Sequence, residues 1–158
     1  MNLKLIISGG QTGADRAGLD FAREHGFIHA GFCPKGRRSE VGPIHPKYRL
    51  LELDTDDYRV RTELNVLTSD ATLIFHGMPM GKGSALTAAL CDEYNRPSLL
   101  VNRSMNPVEA AEAVRKFVWA RGVRVLNVAG SRESKSPGIY AYVLDVLKRA
   151  HAADQPDS

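Results

Sequence analysis

The feature that most constrains this chain is an alternation. Short aliphatic runs give way, again and again, to longer stretches with apolar residues at helical spacing. That pattern specifies an α/β layer fold with a mostly parallel sheet, because parallel strands need helical crossovers and helices then cover both faces. LKLII (3–7) reads as the first strand, and a helix over Ala14–Glu24 turns Ala17, Phe21 and Ala22 toward the core. HAGFC (29–33) is a short strand. It leads into PKGRRSEVGPIHPKY, whose prolines and glycines predict an ordered loop rather than regular structure. LLEL (50–53) is a further strand. The aspartates at 54, 56 and 57 can cap a helix that carries Val60, Leu64 and Leu67 on its core face. ATLIF (71–75), SLLV (98–101) and VRVLNV (123–128) supply the remaining strands. Helices are expected over Ala85–Tyr94, from Pro107 through Val114, Phe117 and Val118, and over Ile139–Ala150, with HAADQPDS a frayed tail.

With 158 residues and ordinary globular composition, the expectation is one domain over residues 1–152 and a tail over 153–158. A formal charge of +3 gives no ground for a nucleic-acid partner, although a local cluster of cations could attract a phosphorylated small molecule. Cys33 and Cys91 have no disulfide or metal spacing and read as buried, reduced thiols. No segment has the length and apolarity of a signal core or a membrane span, so a cytoplasmic, membrane-free protein is expected. The five histidines, at 25, 29, 45, 76 and 151, show no metal-ligand spacing, and only His76 stands beside a candidate site.

Three strand-to-helix turns carry the chemistry: GGQTGAD after the first strand, HGMPMGKGS after ATLIF and AGSRESKSPG after VRVLNV. In an open parallel sheet these turns emerge at one edge, where ligands settle. Glycines let backbone amides and a ligand approach closely, and hydroxyl and amide side chains can bond phosphate oxygens. Each turn also feeds a helix whose unpaired N-terminal amides favour an anion. The roles read from this are an oxyanion cradle of Gly9, Gly10, Gln11, Thr12 and Gly13, a second donor cluster of Gly81, Gly83, Ser84 and Thr87, and a third of Ser131, Arg132 and Ser134. Lys35 and Arg37 in the long loop are expected to close over the ligand. Asp15 is explained by helix capping, and it is also, with Glu133, a candidate general acid or base if the protein processes nucleotides.

Two familiar phosphate motifs are excluded. Gly77 and Gly81 are separated by three residues rather than four, and Gly83 stands between Lys82 and Ser84, so the nucleotide triphosphatase loop is not made. The first turn lacks GxGxxG, which weakens the dinucleotide-dehydrogenase reading.

SGGQTGADRAGLDFA, GFCPKGRRSEVGPI, YRVRTELNVLTSDATLIF, GSALT and LNVAGSRESKSPGIY together, in one order from residue 5 to about 142, resemble the molybdenum carrier proteins, a branch of the SLOG nucleotide-binding superfamily. The resemblance implies a Rossmann-like three-layer sandwich, a pterin-phosphate ligand such as molybdenum cofactor or a nucleotide-like one, and a homo-oligomer, dimer or tetramer. It also marks Arg61, Thr62, Asn65 and Ser69 as part of a characteristic stretch, and helical spacing puts the last three near one face. Val41 stands where the family pattern tends to be acidic, and Ser131 where it tends to be proline. The related phosphoribohydrolases place glutamates just inside the helix after their glycine-rich turn; here Leu86 and Thr87 occupy those positions. A binding protein is therefore the leading expectation, with a nucleotide-processing enzyme or nucleotide sensor as alternatives.

Overall fold

The computed structural model describes residues 1–155. Within them, β1 (Leu5–Ile7), β2 (Ile28–Ala30), β5 (Ala71–His76), β6 (Ser98–Asn102) and β7 (Val125–Gly130) form one parallel sheet in the order β2-β1-β7-β5-β6. β3 (Phe32–Cys33) and β4 (Leu51–Glu52) make a separate two-stranded parallel pair. Helices α1 (Ala14–Glu24), α4 (Pro107–Ala120) and α5 (Ile139–Ala152) pack on one face, and α2 (Tyr58–Leu67) and α3 (Lys82–Glu93) on the other. This is the Rossmann-like three-layer sandwich.

The strand order becomes familiar if counting starts at β7. Taking β7 as first, then β1, β2, β5 and β6, the sheet reads 3-2-1-4-5, the order of doubly wound folds. The chain ends make this rotation of the connectivity reasonable, because the Met1 ammonium is ion-paired with Asp154. The point at which a doubly wound sheet changes winding direction then falls between β7 and β5, where their following helices leave to opposite faces.

One large core lies between the sheet and the α1, α4, α5 layer; it includes Ile6, Phe21, Leu73, Phe75, Val114, Val128 and Val143. ATLIF is buried along its whole length, as a central strand must be. A smaller cluster of Val66, Leu90 and Cys91 joins α2 to α3, and Leu19, Cys33, Ile44 and Tyr48 pack beneath the long loop.

The expected elements are recovered with four corrections. HAGFC is not one strand: Gly31, at φ +145, breaks it, and a Cβ there would stand 1.9 Å from the Ser8 carbonyl oxygen. α3 begins at Lys82, so GKGS forms its first turn. The buried face of α2 is largely polar: Thr62 and Asn65 are enclosed with Val66, as is Ser69 just past the helix end, while Val60 is 36% exposed. Asn65 explains this, since its side-chain amide closes on both the N–H and the C=O of Phe32 at 2.9 and 3.1 Å, supplying α2's link to β3. Finally, α5 runs to Ala152, two residues beyond the expected end, and Asp154 just past it pairs with the Met1 ammonium. Residues 156–158 of the expected tail lie outside the described residues.

Candidate functional site

β1, β7 and β5 are neighbours, and their three turns open onto a single cavity of about 1050 Å3 at the carboxyl edge of the sheet. Gly9, Gln11 and Asp15 reach it from the first turn, residues 77–79 and 81–84 from the second, and Ser131, Arg132, Lys135 and Ser136 from the third. Asn127 lines it from β7, and Tyr58, Arg61, Thr62 and Asn65 make the α2 wall.

The second turn is the most open of the three. Gly81 caps α3 with no side-chain bond, and the amides of Lys82, Gly83 and Ser84 precede the first intrahelical donor, the Ala85 N–H, which bonds the Gly81 carbonyl. A Cβ at Gly81 or Gly83 would meet nothing within 4 Å. Thr87 is less available, because its hydroxyl donates to the Gly83 carbonyl at 2.9 Å.

Electrostatics favour an anion. Arg61, Lys82, Arg103, Arg132 and Lys135 line the cavity against one carboxylate, Asp15. That carboxylate is itself matched: its Oδ2 accepts from Arg61 Nη1 and from the Gln11 amide, both at 3.2 Å. Burial nevertheless pushes the Asp15 carboxyl above the usual carboxylate range, with Arg61 and the Gln11 amide acting in the opposite direction. Asp15 is not the helix cap: Gly13 holds that position, and Asp15 sits in the first turn of α1 bracing the preceding loop.

Several expected ligand donors are occupied within the protein. Gln11 does reach the cavity, but its side-chain N–H donates to the Arg38 carbonyl at 2.8 Å and anchors the long loop. Thr12 and Ser134 both donate hydroxyl hydrogen bonds to Glu40, and Arg132 lies 3.9 Å from the same carboxylate. Thr12, Gly13, Glu133 and Ser134 line a separate, shallower depression with Glu40, not the main cavity. Burial opposes ionisation of Glu40, yet the bonds from Ser134 and Thr12, with Arg132 beside them, hold its carboxyl below the ordinary range. Gly10 and Gly13 serve packing. A Cβ at Gly10 would press on Leu50 at 2.5 Å, and one at Gly13 on the Ser131 carbonyl at 2.3 Å.

Lys35 and Arg37 do not close over the cavity. Lys35 faces Asp54 at 3.6 Å, and Arg37 donates to the carbonyls of Ile44, His45 and Tyr48, all within 3.0 Å, so that it knits the loop to itself. Glu133 lies outside the main cavity and accepts the amides of Gly138 at 2.5 Å and Tyr140 at 3.0 Å at the start of α5. His76 is buried with Nδ1 2.8 Å from the Gly77 carbonyl oxygen, inside the strand end.

A model of the circularly permutated YpsA SLOG family matches residues 6–151. This chain belongs to that family. A solved structure from Syntrophus aciditrophicus SB, named "Putative molybdenum carrier protein", is 42% identical, superposes with a TM-score of 0.92, and is matched over 94% of this chain and 95% of its own. No curated protein matches the chain. The permutation in the family's name agrees with the strand order, which becomes 3-2-1-4-5 when β7 is counted first. Among the described residues of this family member, no helix is long and apolar enough to cross a membrane, and no group of three His, Cys, Asp or Glu side chains could hold a metal ion.

Arg103 and Lys82 were not among the residues picked out from sequence. Arg103 follows β6 in an unremarkable NRS turn, and the signal for it was topological: β6 is parallel to β5, so its turn emerges at the same edge.

Proposed function

We propose that this protein binds a phosphorylated small molecule without transforming it. The observation that carries this reading is the convergence of three adjacent strand-to-helix turns on a cavity with five cationic side chains and one carboxylate already matched by Arg61. The phosphate sits at the first turn of α3, where Lys82, Gly83 and Ser84 offer unpaired amides, with Lys82, Arg103 and Lys135 supplying charge. Hydrogen bonds to charged groups contribute about 1.5–3 kcal/mol each, and micromolar affinity requires about 8 kcal/mol, so a few convergent bonds suffice.

The name of the Syntrophus structure makes molybdenum cofactor the first ligand to test. The residues fit its pterin-phosphate portion: the cavity has the volume, and its cations suit a phosphate. They offer no set of metal ligands, so the metal would stay on the cofactor's own sulfur atoms and this chain would grip the organic part. When bound, the cofactor would supply the molybdenum chemistry, and the protein the enclosure.

Native mass spectrometry of protein purified from molybdenum-replete cells is expected to show a co-purifying pterin-phosphate mass. Lys82→Gln with Arg103→Gln is expected to lose it while folding normally. A bare protein mass, together with no calorimetric binding of inorganic pyrophosphate or ribose 5-phosphate, would refute the reading.

A second reading rests on Asp15. Both of its hydrogen bonds fall on Oδ2, its proton affinity is raised, and it lines the cavity, which are the properties of a general acid. Release of free base from a nucleoside monophosphate, abolished by Asp15→Asn, would establish that alternative.

A further inference from the structure

The cavity is far larger than a phosphate needs, and its walls differ. Lys82 opens α3, Arg103 follows β6, and Arg132 and Lys135 come from the third turn, so that wall is cationic. On the α2 wall the charge of Arg61 is balanced by Asp15 at 3.2 Å, and the side chain beside it is aromatic. Tyr58, the first residue of α2, is 43% exposed while lining the cavity.

Tyr58 has fixed neighbours. The Asp57 side chain accepts the Arg59 amide at 2.9 Å and fixes where α2 starts. The guanidinium carbon of Arg61 lies 5.4 Å from the centroid of the Tyr58 ring, a cation–π distance, and Arg61 is itself pinned by Asp15. A scattered surface tyrosine needs no explanation. A tyrosine that lines a cavity beside an ion-paired guanidinium is a preorganised flat surface. Met78, 74% exposed and lining the same cavity, adds a polarizable flank that can adapt to a ring.

We infer that Tyr58 is a stacking platform for a planar bicyclic heteroaromatic ring, a purine or pterin, on the ligand whose phosphate lies at α3 and the third turn. This rests on the phosphate-binding reading and adds to it the side chain on which the ligand's ring lies. Stacking on an aromatic side chain is tolerant of ring identity, because every base presents a π-face, so GMP serves as the ring-bearing probe and ribose 5-phosphate as the ring-free one.

Calorimetry on the whole chain is expected to show GMP binding about tenfold tighter than ribose 5-phosphate, a margin typical of one stacked base. Tyr58→Ala should erase that margin and leave ribose 5-phosphate binding unchanged. Tyr58→Phe, which keeps the ring, should retain it. The inference is overturned if GMP has no advantage over ribose 5-phosphate on the unaltered protein, or if Tyr58→Ala weakens both probes equally. Binding of GMP alone, lost in Tyr58→Ala, would support the platform and refute the phosphate seat; binding of neither probe would overturn both.

Discussion

The Arg61 guanidinium occupies the space above Gly9: a Cβ built on that glycine would stand 1.6 Å from Nη1, while the same nitrogen lies 3.2 Å from Asp15 Oδ2. A glycine on β1's turn and an ion pair between α1 and α2 are thereby one arrangement. Its Nε is buried with no partner, so the guanidinium depends on Asp15.

Arg61→Met should destabilise the fold by about 3 kcal/mol in urea unfolding, because an unmatched carboxylate is left buried. The loss should depend on pH. With Arg61 gone, the folded-state pKa of Asp15 rises further, so Asp15 favours folding most below its ordinary value near 3.8 and progressively less as pH climbs through the folded value. The variant should therefore lose less at pH 4 than at pH 7. Gly9→Ala, by pushing the guanidinium aside, should produce part of the same effect, and the double variant should fall short of the sum of the two.

Gly13 and Gly83 should behave oppositely. Gly13→Ala puts a methyl on the Ser131 carbonyl at a backbone with φ +77, and the expected result is a loss of several kcal/mol, seen as a collapse of the thermal midpoint. Gly83→Ala meets no atom within 4 Å and lies in the first turn of α3. It should raise stability by about 0.5–1 kcal/mol while weakening pyrophosphate binding, because the methyl projects where the ligand approaches.

The Glu40 contacts give the long loop a dependence on acid. A carboxylate held below its ordinary value near 4.5 in the folded state stabilises above that value and ceases to do so as pH falls through the folded one. Limited proteolysis between residues 36 and 44 should accelerate below about pH 4.5. Glu40→Gln should show the faster cleavage already at neutral pH, and equal rates for both proteins at pH 7 would contradict this.

At the alkaline end, Asp20 accepts the hydroxyls of Tyr48 at 2.8 Å and Tyr140 at 2.7 Å, tying α1 to the loop and to α5. Burial, and then the bond to Asp20, push the Tyr48 phenol up to about 12 from 10. The stabilisation is complete below pH 10 and disappears as pH rises toward 12. Tyrosinate absorbance should show these two phenols ionising last, together with unfolding, and Asp20→Asn should move that transition to lower pH.

Sequence patterning carried the architecture because aliphatic runs and helical spacing are local, and a parallel sheet then obliges its turns to share an edge. The cavity was legible for the same reason. What sequence could not disclose was which way each polar side chain faces. Thr12 and Ser134 have the hydroxyls a phosphate would want, yet they bind Glu40, a loop residue with no distinguishing pattern of its own. Arg37 looked like a ligand clamp, but three carbonyls of its own loop surround it. The polar face of α2 misled the core assignment, since the apolar spacing of Val60, Leu64 and Leu67 gave no hint that Asn65 would supply backbone partners for Phe32.

The position of β7 has a consequence for how the molecule is made. It is the last strand in the chain and the middle one in the sheet, so during synthesis β1 and β5 emerge with a gap between them that nothing yet fills. Neither the first turn nor the second can acquire its neighbour until β7 has left the ribosome and inserted. The rim of the cavity is therefore incomplete until β7 stands between β1 and β5.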